Sequence, residues 1–262
     1  MFALLAPAQA ALALASGSLV GLTLGLVGGG GSILAVPLLA YVVGVASPHV
    51  AIGTAAVAVA FNAAASLLDH ARAGHVKWRC ALVFAGAGVA GALIGSSLGK
   101  RVDGQLLLAS FSLLMIVVGV MMLRHGDKGG DANVQLDREN TPWLVGLGLG
   151  TGALSGFFGI GGGFLIVPAL MLATGMPIGM AVGSSLVAVT AFGLTTSFNY
   201  AASGLVDWSL AGLFIAGGLA GGLLGTRLSH VLARQRGTLN TLFAGLIFAT
   251  AFYMLARSLG AI

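Results

Sequence analysis

The chemistry that this sequence offers in a repeated pattern is that of the peptide amide. Gly25 to Leu39, GLVGGGGSILAVPLL, recurs 131 residues later at Gly156 to Leu170 as GFFGIGGGFLIVPAL. Each copy is an apolar segment, a glycine run, and a short apolar segment that holds a proline. Glycine lets the backbone leave a helix and lets another group approach closely. Inside a membrane, irregular backbone persists only where protein or a wet cavity covers it. A helix restarting after the glycines has its first N–H groups free, at the positive end of its dipole. Two such ends, one per copy, form an anion site from backbone alone. On this reading Gly30, Gly31 and Ser32, with Gly161, Gly162 and Gly163, supply N–H donors near mid-depth. Thr54 and Ser184 follow the matched Gly53 and Gly183 and add hydroxyls, while Pro37 and Pro168 fix the bends of the short segments. The plainer alternative is that these glycines only let helices pack closely. A long run at the same register in both copies favours a site.

Other chemistry is sparse. No nucleophile elbow, phosphate loop, dinucleotide fingerprint or His-Glu-x-x-His run is present, so neither a nucleotide nor another cofactor is expected. His49, His75, His125 and His230 stand singly at segment ends without metal-ligand spacing, and Cys80 is the sole cysteine. Asp69 and His70 close the third apolar segment, but adjacent residues on a helix do not face each other. An intramembrane enzyme or an assembly subunit is the competing class, and that pair is all it has to build on. Asn62, Ser66 and the hydroxyls of the eighth segment read as interhelical hydrogen-bonding groups. The matched Trp78 and Trp208, at loop-to-helix junctions, read as interface anchors.

The elements that must position these groups follow from composition. Hydrophobic residues make up 58% of the 262 and charged residues 7%, with a mean hydropathy of +1.03. Soluble domains carry about 25% charged residues. This is therefore an all-α, polytopic transmembrane bundle in a lipid bilayer. The net charge of +5 comes from basic residues between apolar segments, which act as topology signals and not as a nucleic-acid surface. No Lys or Arg precedes the first apolar run, so no cleaved signal peptide is expected. Apolar segments fall at 3–27, 32–45, 48–68, 80–99, 105–123, 143–158, 164–174, 177–201, 209–228 and 238–256. A spanning helix needs about 20 residues. The two segments after the glycines are shorter, as half-helices or re-entrant segments are.

The likeness between halves continues at an offset of 130. AIGTA at 51–55 meets AVGSS at 181–185, AGHVKW at 73–78 meets SGLVDW at 203–208, and AGALIGSSL at 90–98 meets AGGLLGTRL at 220–228. The chain divides into a first transmembrane repeat at 1–123, a polar linker at 124–142 and a second repeat at 143–262. If the first two segments of each half cross an even number of times, the repeats are inverted. Nine Lys and Arg then share the face of the 69–79 loop, and Lys100, Arg101 and Arg257 lie opposite. A single crossing makes the halves parallel and splits the charges seven to five. Cytoplasmic loops are enriched in Lys and Arg, so inverted repeats are expected, with loop 69–79 and the linker cytoplasmic and both termini outside.

The paired glycine stretches, with GHVKW and GLVDW downstream, resemble the sulfite exporter TauE/SafE family of membrane transporters over essentially the whole chain outside the linker. The resemblance implies bacterial inner-membrane transport of a small anion such as sulfite, thiosulfate or a sulfonate. It leaves the substrate and the direction open. Lys77 stands where the second half has Asp207 in its V-D-W, so no family role passes to Asp207 alone. With no ATP site, driving energy comes from a coupling ion or from the substrate's own gradient. Nothing in the sequence fixes an oligomeric state.

Topology gives the first prediction. Cysteines introduced at 69–79 and 229–237 should react with impermeant reagent from the cytoplasmic side, and those at 202–208 from the outside. Labelling of 69–79 and 202–208 from one side would end the inverted reading.

Overall fold

The computed structural model describes residues 7–124, 134, 136–159, 163–231 and 236–258, and among them every regular element is helical. The ten apolar segments are ten helical runs. They are α1 (Pro7–Val27), α2 (28–42), α3 (Pro48–Arg72), α4 (Trp78–Gly99) and α5 (Gly104–Arg124), then α6 (Thr141–Phe158), α7 (Gly163–Thr174), α8 (Ile178–Ala201), α9 (Trp208–Val231) and α10 (Arg236–Ser258). Five are long and apolar enough to cross a membrane: 7–26 of α1, α3, α4, α8, and 208–228 of α9.

Small residues dictate how these helices pair. Water drives no association between helices inside a bilayer, so close packing must, and small side chains let backbones meet. Gly17, Gly21 and Gly25 of α1 lie on Phe214, Gly218 and Gly222 of α9. Gly148, Gly152 and Gly156 of α6 lie on Phe84, Gly88 and Ala92 of α4. In both pairs the contact positions rise together, so the helices run parallel. At each of these α1 and α6 glycines a Cβ would collide with a backbone carbonyl of the partner helix. The second set of contacts is the first displaced by the offsets of 130 and 131 found in the sequence. Each pair joins a helix before the 124–142 linker to one after it, so the two parts of the chain are interleaved.

Between these pairs lie α3 and α8, the best-buried long helices. Gly53 meets Tyr200 and Ala60 meets Gly193, an antiparallel register. The loops that follow the two helices, at 73–77 and 202–207, therefore stand at opposite ends of the bundle. Gln9 near the start of α1 donates to the Val43 carbonyl at 3.3 Å. Thus α2 returns to the end from which α1 set out. Trp78 and Trp208, at the starts of α4 and α9, are both exposed, as anchors are.

Glycine packing generates a stability prediction. Gly91→Ala and Gly221→Ala would drive a methyl into the carbonyls of Leu149 and Ser18, costing about 1–3 kcal/mol. Gly86 and Gly212 face open space on the same helices. Alanine there should hold or raise the melting temperature in detergent, by helix propensity of up to about 1 kcal/mol. Equal melting of all four variants would contradict the packing.

Candidate functional site

In the first glycine stretch the chain turns back on itself. Gly28–Leu34 is a 3-10 helix, Ala35–Pro37 a single α turn and Leu38–Val42 a π turn. Gly31 rests on the backbone of Thr23 and Leu24, and its carbonyl accepts from Thr23 Oγ1 at 3.5 Å. Its lack of a side chain is thus used by α1 itself. Pro37 sits where the α turn widens into the π turn, as a residue without an N–H does. Gly30 lies within the 3-10 helix, and Ser32 is fully buried.

The second stretch differs in detail. Helix α6 ends at Gly159 with φ +68°, a left-handed cap whose N–H donates to the Ser155 carbonyl. A side chain there would also strike Ile52 of α3. Gly161 and Gly162 lie outside the described residues. Gly163 is buried and begins α7, which carries Pro168 within it. The two turns stand toward opposite ends of the bundle. Gly31 lies near the end of α1 that Gly25 packs onto Gly222 and Thr226 of α9, whereas Gly159 lies by the start of α3, at the opposite end. A helix of about 20 residues spans the hydrocarbon before it turns, which separates the tips. What meets between them is the 28–34 helix and α7, which pack on each other.

Thr54 and Ser184, the matched hydroxyls, are fully buried and perform equivalent tasks at opposite ends. The Asp207 N–H donates to Thr54 Oγ1 at 3.0 Å, and the Lys77 N–H donates to Ser184 Oγ at 2.9 Å. Gly53 and Gly183 admit the carbonyls of Leu205 and His75 beside them. Each loop is therefore clasped, at the residue preceding α9 or α4, to a helix from the other side of the 124–142 segment. The two clasps differ in charge. Asp207 Oδ1 accepts from the N–H groups of Ser209 and Leu210, both at 3.0 Å, and neutralises the start of α9. Lys77 precedes α4 and makes no such cap, so the start of α4 stays electropositive.

Among the described residues every buried polar side chain is a hydroxyl or an amide, and no group of His, Cys, Asp and Glu could hold a metal. Asp69 is exposed and pairs loosely with Arg72 at 3.9 Å. Its counterpart Asn199 belongs to a cluster that the sequence reading missed. Lys100 Nζ donates to the Asn199 carbonyl, to Asn199 Oδ1 and to Ser203 Oγ at 3.0, 2.8 and 2.7 Å, while Asn199 Nδ2 donates to Ser96 and Ser97. The cluster ties the end of α4 to the end of α8, and its cation sits favourably at a helix C-terminus. In the sequence Lys100 signals only topology, because its hydrogen-bond partners Asn199 and Ser203 lie about a hundred residues away in the chain.

These features lie within a match to the sulfite exporter TauE/SafE family that covers residues 13–254. The chain belongs to that family. A "probable membrane transporter protein" of Xylella fastidiosa strain Temecula1 is 53% identical over 93% of this chain and 94% of its own length. The "probable membrane transporter protein YunE" of Bacillus subtilis is 29% identical over 82% of this chain and 86% of its own. No solved structure matches. These relatives are named as membrane transporters and not as enzymes.

The clasps predict a graded series. Thr54→Val and Ser184→Ala should each leave a buried N–H unpaired and cost about 1–3 kcal/mol, while Thr54→Ser restores most of the loss. Thermal unfolding in detergent reads this directly, and a Thr54→Val protein as stable as the parent would refute the clasp.

Proposed function

We propose that this chain carries a small sulfur oxyanion or organosulfur acid, such as sulfite, thiosulfate or a sulfonate, across a bacterial inner membrane. The halves 1–123 and 143–262 act as inverted repeats around the route, with the linker 124–142 in the cytoplasm. The observation that carries the reading is the character of the interior. Among the described residues its buried polar groups are neutral hydroxyls and side-chain amides, which meet an anion with donors and without a buried cation that would need a partner of its own. Support for inversion comes from the matched clasps at opposite ends and from the return of α2 beside the start of α1. The N–H groups of Gly30, Gly31 and Ser32, and of Gly161, Gly162 and Gly163, would meet the anion as it enters from either end. Thr54 and Ser184 would hold the backbone around them in shape.

Flux into liposomes that contain only this protein tests the reading. A panel of sulfite, thiosulfate, a small sulfonate, chloride and acetate should show saturable flux for at least one sulfur oxyanion. No flux of any, from folded protein, would overturn it. Asp69→Asn should retain most of the flux, because Asp69 is exposed and its counterpart is already Asn199. Abolished flux with normal melting would make Asp69 a coupling group.

A further inference from the structure

Among the described residues the buried polar groups without a hydrogen-bond partner include Ser155, Thr196, Tyr200 and one amide, Asn62. Asn62 lies half-way along α3, is 2% exposed, and neither Nδ2 nor Oδ1 has a hydrogen-bond partner. Its amide lies against the Cα of Gly218 on α9, at the level where Gly21 of α1 meets the same glycine. Burying an unpaired amide in an apolar setting is unfavourable. The other half shows what the fold puts there when packing alone is served. The counterpart of Asn62 is Phe192, whose ring lies on Gly88 and stacks on Phe84 at 6.3 Å between centroids. Gly88 and Phe84 are themselves the counterparts of Gly218 and Phe214.

Depth distinguishes this position further. The antiparallel register of α3 on α8, with Gly53 on Tyr200 and Ala60 on Gly193, brings Asn62 and Phe192 to nearly one level, mid-way between the two clasped loops. A single amide thus replaces an aromatic ring at the centre of an otherwise matched arrangement. Ser66, one turn on along the same face, is also buried, next to Gly222. A cation would need several oxygens around it. Asn62 brings one, and no carboxylate is buried among the described residues. An oxyanion needs N–H donors, and Nδ2 carries two.

We propose that Asn62 is a mid-depth contact for the transported oxyanion, its Nδ2 group donating to the anion as the α1–α9 pair and α3 open around it. This rests on the oxyanion-transport reading and names a residue for it. The test uses the full-length protein with thiosulfate and sulfite as probes, read as flux in liposomes and as anion-induced thermal stabilisation in detergent. Asn62→Leu should melt no lower than the parent, since an unpaired polar group is removed. It should lose the stabilisation by anion, and its flux per folded protein should fall about tenfold to hundredfold, as loss of a hydrogen bond to a charged ligand does. Asn62→Ala, which relieves the contact with Gly218, should lose flux to the same degree. Phe192→Leu should melt lower and keep its flux per folded protein. If both Asn62 variants keep parental flux and stabilisation, or lose flux only in proportion to unfolding, the amide is a packing group and the proposal fails. If the parent itself moves neither anion and is stabilised by neither, the transport reading fails and takes this contact with it.

Discussion

Two helix pairs in this protein meet backbone to backbone, and the rest of the structure depends on that contact. Where Gly21 faces Gly218, and Gly152 faces Gly88, no Cβ can be accommodated. Inside a bilayer this closeness supplies dispersion contacts that water cannot provide by exclusion. Both pairs cross between the parts of the chain before and after the linker. The parts therefore cannot separate without breaking their tightest contacts, and relative motion has to take place at other surfaces. Those other surfaces include the ones where side chains of α3 and α8, Asn62, Phe192 and Tyr200, pack on Gly218, Gly88 and Gly53.

Charge is handled by the same economy. Ionisable residues are kept to the ends of helices, where Lys100 ties α4 to α8 and Asp207 caps α9. Among the described residues the buried polar groups carry dipoles and no charge. Such an interior can receive an anion without first displacing a resident counter-ion, and the electropositive start of α4 beside Lys77 favours its approach at that end. Transport of a sulfur oxyanion, as proposed here, needs nothing more elaborate than donors in sequence along a path.

Much of this was legible in the chain itself. All ten helical runs coincide with apolar segments, because in a membrane hydropathy sets both the existence and the length of a helix. The glycine turns are legible in the sequence, but not that they stand toward opposite ends of the bundle, because spacing does not record where along a neighbouring helix a turn falls. Thr54 and Ser184 were singled out by their match, yet their bonds to Asp207 and Lys77 join residues more than a hundred apart, which no local pattern records. Gly161 and Gly162 lie outside the described residues. Asn62 was visible as a polar residue in an apolar helix, but only the packing of Phe192 on Gly88 shows what stands in its place in the other half.

The claim at the centre of this account is that neutral donors hold the anion's charge. The most direct measurement is the charge displaced when liposomes of this protein on a solid-supported membrane meet a step of thiosulfate or sulfite. Neutral donors predict a saturating displacement with the sign of negative charge entering the protein, present for the transported anion and absent for one that is not carried. Saturable flux of the same anion without any displaced charge would contradict the account, since a proton or metal cation bound in the interior would then have to balance it.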